Sequence, residues 1–128
     1  MLADALTREY KRMLDRWSSG GLYYHYRSFL KRYTLLYLTK FSLAKKYVCG
    51  VLAIARLGMP ITSNLLAWLT GTDLNLSLGA IEHLSSLKVV EPLDPIVRKG
   101  VSGAPLVRRF KLTEEFIRHV YMRLSEVK

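Results

Sequence analysis

The segment LGMPITSNLLAWLTGTDLNLSLGAIEHLSSLKVVEPL, residues 57–93, decides the fold, because it contains strong signals for ending one helix and starting two more. Pro60 lies where a preceding helix has to end. Thr62 or Ser63 is a suitable N-cap for the next helix, and Gly71 is suited to end it. The segment therefore predicts two short helices in close succession, joined by a tight turn.

The second of these helices is predicted over 74–87. Asp73 and Asn75 are both suitable N-cap residues for it. The run VVEPLDP (89–95) that follows predicts a short strand ended by prolines. The apolar residues of the helix recur at helical spacing, and the inward face is expected to consist of Leu74, Leu78, Ile81 and Leu84.

A β-hairpin is predicted after this helix. The tip of the hairpin is the turn-rich stretch 94–105, and its returning strand is PLVRRFKL (105–112). Because side chains alternate between the two faces of a strand, Arg109 and Lys111 share one face. We expect that face to point outward. The apolar residues of the opposite face, which we expect in the core, are Phe110 and Leu112.

Amphipathic helices flank this unit on both sides. Apolar residues recur at helical spacing over 2–17 and 22–40, and the run SSGG (18–21) separates the two helices. A helix at 43–57 is apolar on nearly all sides, which is typical of the buried centre of a domain. A last amphipathic helix is predicted over 113–127, with Thr113 as its cap.

The expected fold is therefore mainly α with a small β-hairpin. We expect two parts in the chain: an N-terminal helical extension, 1–41, that serves dimerisation or packing, and a domain over 42–128 that ends in the C-terminal helix.

Charge points to a polyanionic partner. The 128 residues include 20 Lys and Arg against 10 Asp and Glu, a net charge of +10. Residues 1–46 have ten basic and three acidic side chains, and residues 47–128 have ten and seven. A small protein of this charge favours nucleic acid first, an acidic membrane surface second and an acidic protein third. Solubility alone is the simplest alternative.

Several classes of protein lack their signals in this sequence. A lone cysteine, Cys49, excludes an internal disulfide framework and a Cys-rich zinc site, and we expect it in the core. The histidines have no metal-ligand spacing, and there is no phosphate-binding or nucleophile-elbow motif. We therefore expect no enzyme, no metal and no cofactor. Neither a bilayer-spanning run nor a secretory signal is visible, so a cytoplasmic protein without a membrane partner is expected.

Taken in order, residues 43–112 resemble the winged helix-turn-helix superfamily. The matching pieces are the two-helix segment 57–93 and VRRFKLTEE (107–115). The closing FKLTEE (110–115) is similar to the strand-to-helix junction of MarR- and PadR-like transcriptional regulators, and KVVEP (88–92) is similar to their usual GLVE.

Two features of the sequence depart from the pattern of those regulators. Lys88 stands where they usually carry Gly, and the helix before it contains Glu82 but no Arg or Lys.

The composition also suggests a thermophilic archaeal source. The chain has no Gln, and thermolabile residues such as Gln are scarce in hyperthermophile proteins.

The resemblance implies a DNA-binding site. The superfamily places the third helix of its core, here 74–87, in the major groove, and its wing, here 94–105, on the flanking backbone. The N-terminal end of the second helix, at Thr62 and Ser63, then meets a phosphate. The flanking helices lie where such regulators keep their dimerisation helices, so a homodimer is implied. These helices are 2–17, 22–40 and 113–127.

Candidate contacts with DNA follow from this placement: Thr62, Ser63, Asn75, Ser77, His83, Arg98, Lys99, Arg109 and Lys111. Auxiliary phosphate contacts are expected from helix 22–40, at Arg27, Lys31 and Arg32. Several of them have a simpler interpretation: Thr62, Ser63 and Asn75 as helix caps, and His83 and the hairpin cations as solvated surface groups.

Three hypotheses for the function follow. The first is a double-stranded DNA-binding transcriptional regulator, associated with the nucleoid and acting as a homodimer. The second is a winged-helix protein-interaction subunit of a larger nucleic-acid machine, favoured by the lack of Arg in the presumed recognition helix. The third is a non-specific chromatin protein.

Overall fold

The computed structural model describes residues 2–93 and 108–126, which form helices and a small antiparallel sheet. The hairpin tip predicted at 94–105, with Arg98 and Lys99, lies outside the described residues. The helices are α1 (Leu2–Ser19), α2 (Leu22–Arg32), α3 (Phe41–Arg56), α4 (Ser63–Thr70), α5 (Leu74–Ser86) and α6, which comprises Glu114–Phe116, a π-helical turn at Ile117–Tyr121, and Met122–Glu126. The strands are β1 (Val90–Pro92) and β2 (Phe110–Leu112).

Helix α3 forms the centre of the molecule, as its apolar sequence predicts. All residues from Val48 to Ile54 are buried, and Cys49 is among them. Helices α1 and α4 both pack against α3. An ion pair also joins α1 to α3. Glu9 of α1 is buried, and its Oε1 atom lies 2.6 Å from Nε of Arg56 in α3.

The helix predicted over 22–40 is wrong beyond Arg32. The chain turns at Thr34, which has a φ of +57°, and the N–H of Leu35 donates to the carbonyl of Leu30 at 2.7 Å. A short 3₁₀ turn at Leu36–Leu38 follows before α3 begins. This reversal brings the hydroxyl of Thr39, which is half-buried, to 3.3 Å from that of the buried Tyr26 on α2, a pairing that a straight helix would prevent.

The first strand of the sheet begins shortly after α5, since only residues 87–89 separate α5 from β1. Strand β1 pairs antiparallel with β2, with Val90 opposite Leu112 and Glu91 opposite Lys111. On the other edge of β2, Phe110 exchanges two backbone hydrogen bonds with Ile61, at 2.8 and 2.9 Å. Residues between α3 and α4 are thereby tied to β2, the strand that also pairs with β1.

The flanking helices use their apolar faces within the chain. Leu6, Met13 and Trp17 of α1 are buried, and α2 and α6 meet through Phe29 and Phe116, whose ring centroids are 5.2 Å apart. These are the stripes from which the sequence predicted a dimer interface. Because these particular side chains are covered by the chain itself, they are not available to a dimer interface.

Candidate nucleic-acid interface

Caps fix the start of both short helices. The Thr62 hydroxyl accepts a hydrogen bond from the N–H of Leu65 at 3.1 Å, so Thr62 and not Ser63 is the N-cap of α4. Gly71 ends α4 with a φ of +68°, as predicted. Asp73 caps α5 by accepting from the N–H of Asn75 at 2.6 Å. The capping interpretation of Asn75 is therefore wrong, and its side chain is left exposed.

Polar groups on the outer side of α5 are fewer than predicted. Asn75 and His83 are exposed, eight residues apart on one side of the helix. Ser77 is fully buried, and its hydroxyl donates to the backbone carbonyl of Ser63 at 2.7 Å. The prediction that Ser77 points outward is wrong, because this hydrogen bond fastens α5 to the first turn of α4.

Leucines also occupy the exposed surface of α5. Leu74 and Leu78 are each 45% exposed, although both were predicted to face inward, and Leu76 is 62% exposed. Ile81 and Leu84 are buried as predicted. The inward face of α5 differs from the one that its periodicity indicates, because the Ser77 side of the helix faces α4 and leaves Leu74 and Leu78 beside the contact.

The hairpin strand β2 separates apolar and basic side chains as its alternation predicts. Phe110 and Leu112 are buried, whereas Arg109 and Lys111 are exposed. Nζ of Lys111 lies 3.8 Å from a carboxylate oxygen of Glu91, a distance at which two solvated side chains attract each other only weakly. Arg108 is also exposed, with its guanidinium 5.1 Å from the centre of the Phe110 ring. Three cations therefore surround the start of this strand.

The auxiliary cations of α2 are exposed as the sequence predicts. Arg27, Lys31 and Arg32 all face solvent. Another cation lies just past the end of this helix, where Nζ of Lys88 is 5.8 Å from the centre of the Tyr33 ring. The ring centroid of His119 is 6.1 Å from that of Tyr33. Partial burial and the charges of Arg32, Arg118 and Arg123 lower the pKa of His119.

A groove between α5 and the segment 38–47 brings together residues that the sequence did not connect. Asn75 and His83 line it from α5, and Lys40 and Lys46 line it from the opposite side. The two lysines were absent from the predicted site. A signal for them exists: residues 16–72 contain eight Lys and Arg and no Asp or Glu, so any surface built from this stretch is basic.

The described residues also bear on thiol chemistry, metal binding and membrane spanning. Burial raises the pKa of the Cys49 thiol to about 12, so the thiol stays protonated and is a poor nucleophile. Within 2–93 and 108–126, no group of three His, Cys, Asp or Glu side chains could hold a metal ion. In the same residues, no helix is both long enough and apolar enough to cross a bilayer.

What the geometry offers is a set of exposed cations around β2 and α2, together with one helix, α5, that carries polar and apolar side chains on its outer surface. Comparisons of the chain with models of protein families, with curated proteins and with solved structures found no match.

Proposed function

We propose that the chain is a winged-helix protein that binds double-stranded DNA, with α5 directed at the major groove and the hairpin of β1 and β2 gripping the adjacent backbone. The observation that carries the proposal is the outer face of β2. Arg109 and Lys111 are exposed there, Arg108 flanks them, and the inner face of the strand is sealed by buried apolar side chains. A strand built in this way presents cations on a rigid support.

The order of elements agrees with the proposal. A buried helix (α3), a short connection containing Pro60, a second helix (α4), a tight turn, a third helix (α5) and a two-stranded sheet follow one another. The hydroxyl of Thr113, at the end of β2, donates to the carbonyl of Lys88, just after α5. The hairpin and α5 are thus fixed to each other, as two parts of one DNA-contacting surface have to be.

In this proposal phosphate contacts supply most of the affinity. Cations at β2, with the auxiliary cations of α2, neutralise phosphates, and Asn75 and His83 are the side chains of α5 that reach base edges. Asn makes a bidentate contact with adenine, which is worth about 1–3 kcal/mol of discrimination. Exposed leucines on the same helix contact thymine methyl groups. Sequence preference should therefore be modest and should favour A·T pairs.

The first experiment is selection from a random-sequence duplex pool at two salt concentrations. Enrichment of an A·T-containing motif that is lost with Asn75→Ala is the expected result. A palindromic motif indicates the homodimer that the sequence predicted. Salt-sensitive binding without enrichment indicates a non-specific chromatin protein, and absence of binding at either salt contradicts the proposal.

A matched pair of variants tests the role of β2. Arg109→Ala with Lys111→Ala removes two cations from the hairpin, and Arg8→Ala with Lys11→Ala removes two exposed cations from α1. If both hairpin cations neutralise phosphates, the slope of log K against log salt should fall by about 2 in the hairpin variant. The α1 variant has the same net charge and should leave the slope nearly unchanged. Equal slopes in the two variants would contradict a hairpin contact.

A second function is favoured by the exposed apolar side chains near α5. Leu76 and Trp68 are 62% and 56% exposed, and α5 itself has no Arg or Lys. Aromatic side chains such as Trp68 are enriched at protein–protein interfaces. The chain would then be an interaction subunit of a nucleic-acid machine. Leu76→Ser with Trp68→Ala separates the two functions, because it should leave duplex affinity intact if α5 serves a protein partner.

A further inference from the structure

The groove between α5 and the segment 38–47 shares Asn75, Leu76 and His83 with the proposed DNA surface, but DNA binding does not explain its depth or its apolar lining. It encloses about 500 Å³. Its floor includes Ala80, Leu84 and the buried Tyr26, whose hydroxyl is paired with that of Thr39 at 3.3 Å. The floor is therefore apolar, apart from one hydroxyl pair that already has a hydrogen bond.

The walls of the groove are apolar side chains that remain in contact with water. Leu38, Leu43 and Leu76 are 40%, 57% and 62% exposed, and they come from both sides of the groove. Leucine surface left in this state contributes favourable free energy to any apolar ligand that covers it. A groove with such walls favours a chain or a ring system over a sugar or a nucleotide.

The rim of the groove has one sign of charge. Lys40 and Lys46 line it, His83 faces them from α5, and among residues 2–93 and 108–126 no Asp or Glu lines it. A cavity with apolar walls and cations at one edge matches a ligand with an apolar body and an anionic end.

We propose that this groove binds a free amphiphilic carboxylate, a molecule of the fatty-acid type, with its chain between Leu43 and Leu76 and its carboxylate at Lys40 and Lys46. The volume of the groove favours a small molecule, because pockets for such ligands typically measure about 300–1,000 Å³. A partner helix would need a longer open surface. The rim argues against a second copy of this chain seated by its own groove, since two such rims would place lysines opposite lysines.

The direct test is isothermal titration of the purified chain, without nucleic acid, with sodium decanoate below its micelle concentration. Octanoate and decyltrimethylammonium bromide serve as the shorter anion and the cation of equal chain length. Decanoate should bind saturably and more tightly than octanoate, by up to about fourfold for each additional methylene group that is buried. The cation should not bind.

Three variants locate the ligand. Gly79 lines the groove, and a Cβ atom built on it meets nothing within 4 Å, so Gly79→Leu should fill the groove without disturbing the fold and should abolish binding. Lys40→Met with Lys46→Met should weaken binding about tenfold. Lys45→Met is the control, because Lys45 lies next to Lys46 in α3 and is not among the residues that line the groove.

The outcomes separate cleanly. Equal binding of anion and cation, or decanoate binding that survives Gly79→Leu, overturns the proposal. So does binding only to phosphatidylglycerol vesicles, which indicates a membrane surface. A concentration-dependent dimer that Gly79→Leu abolishes assigns the groove to a second copy and also overturns it. Because no DNA is present, none of these results depends on the DNA-binding proposal.

Discussion

Substitution of two glycines by alanine should have opposite effects, and the reason is visible in the packing of α3. Gly50 lies in the buried centre of α3, where it faces α4. A Cβ atom at this position would be 2.6 Å from Cδ1 of Leu66 and 3.3 Å from Cγ2 of Thr70. Gly79, in the middle of α5, has no atom within 4 Å of the same construction. Both residues have helical backbone conformations, so the substitutions differ only in what the methyl group meets.

The magnitude follows from two opposing terms. Replacing a helical Gly by Ala stabilises a helix by up to about 1 kcal/mol, and both positions should gain this amount. At Gly50, Leu66 has to retreat by about 0.8 Å to move from 2.6 Å to the 3.4 Å of ordinary contact. Leu66 is fully buried, so this movement displaces further core atoms and should cost about 1–3 kcal/mol. Gly50→Ala should therefore lower the free energy of unfolding by about 0–2 kcal/mol, and Gly79→Ala should raise it by about 1.

Urea denaturation followed by tryptophan fluorescence measures both free energies. In a thermal scan, each kcal/mol should shift the melting temperature by about 4 °C for a chain of this size. Leu66→Val removes the crowded methyl group and should reduce the penalty of Gly50→Ala in a double-mutant cycle. If Gly50→Ala is as stabilising as Gly79→Ala, α3 and α4 are not in close contact at this position and the packing described above is wrong.

Further predictions concern buried polar and ionisable groups. Thr113→Val keeps the shape of the side chain but removes the cap of α6 and the donor to the turn after α5, so it should lower the free energy of unfolding by about 1–3 kcal/mol in urea titrations. Cys49 should not react with Ellman's reagent at pH 8 until urea unfolds the chain. The unfolded thiol ionises above its ordinary pKa of 9.0, whereas the folded thiol keeps its proton up to about 12. Stability should therefore fall between pH 9 and 12, by up to about 1.4 kcal/mol per pH unit more than in Cys49→Ala. Glu9→Ala should lower the free energy of unfolding by about 1–3 kcal/mol, which is less than for a fully buried ion pair because Arg56 is 34% exposed. Arg56→Ala should cost less stability in the Glu9→Ala variant than in the unmodified chain.

The order and type of most elements were predictable because their signals are local. Caps at Thr62 and Thr113 and the stop at Gly71 depend on the chemistry of single residues, and the structure has each of them in its predicted role. The faces of β2 followed from strict alternation, which leaves no choice once Phe110 is assigned to the core.

The errors occurred where tertiary contacts decide. Nothing in the sequence near Thr34 stops a helix, yet the chain turns there and α3 packs against α1. Ser77 belongs to a polar pattern that suggests solvent, but it is used to fasten two helices together. Leu74 and Leu78 fall on the predicted apolar stripe, and they are exposed because α5 turns Ser77 toward α4 instead.

The distribution of charge and apolar surface has a consequence for how the proposed DNA binding would work. A recognition helix that contains Arg supplies both phosphate attraction and base readout from one element. Here α5 has no Arg or Lys, and its exposed surface includes Leu74, Leu76 and Leu78. The salt-dependent part of the affinity therefore has to come from β2 and α2, while α5 contributes van der Waals contacts and the polar side chains of Asn75 and His83. Because phosphate contacts do not discriminate between sequences, the ratio of specific to non-specific affinity should lie near the lower end of the range for sequence-specific proteins, about 10³.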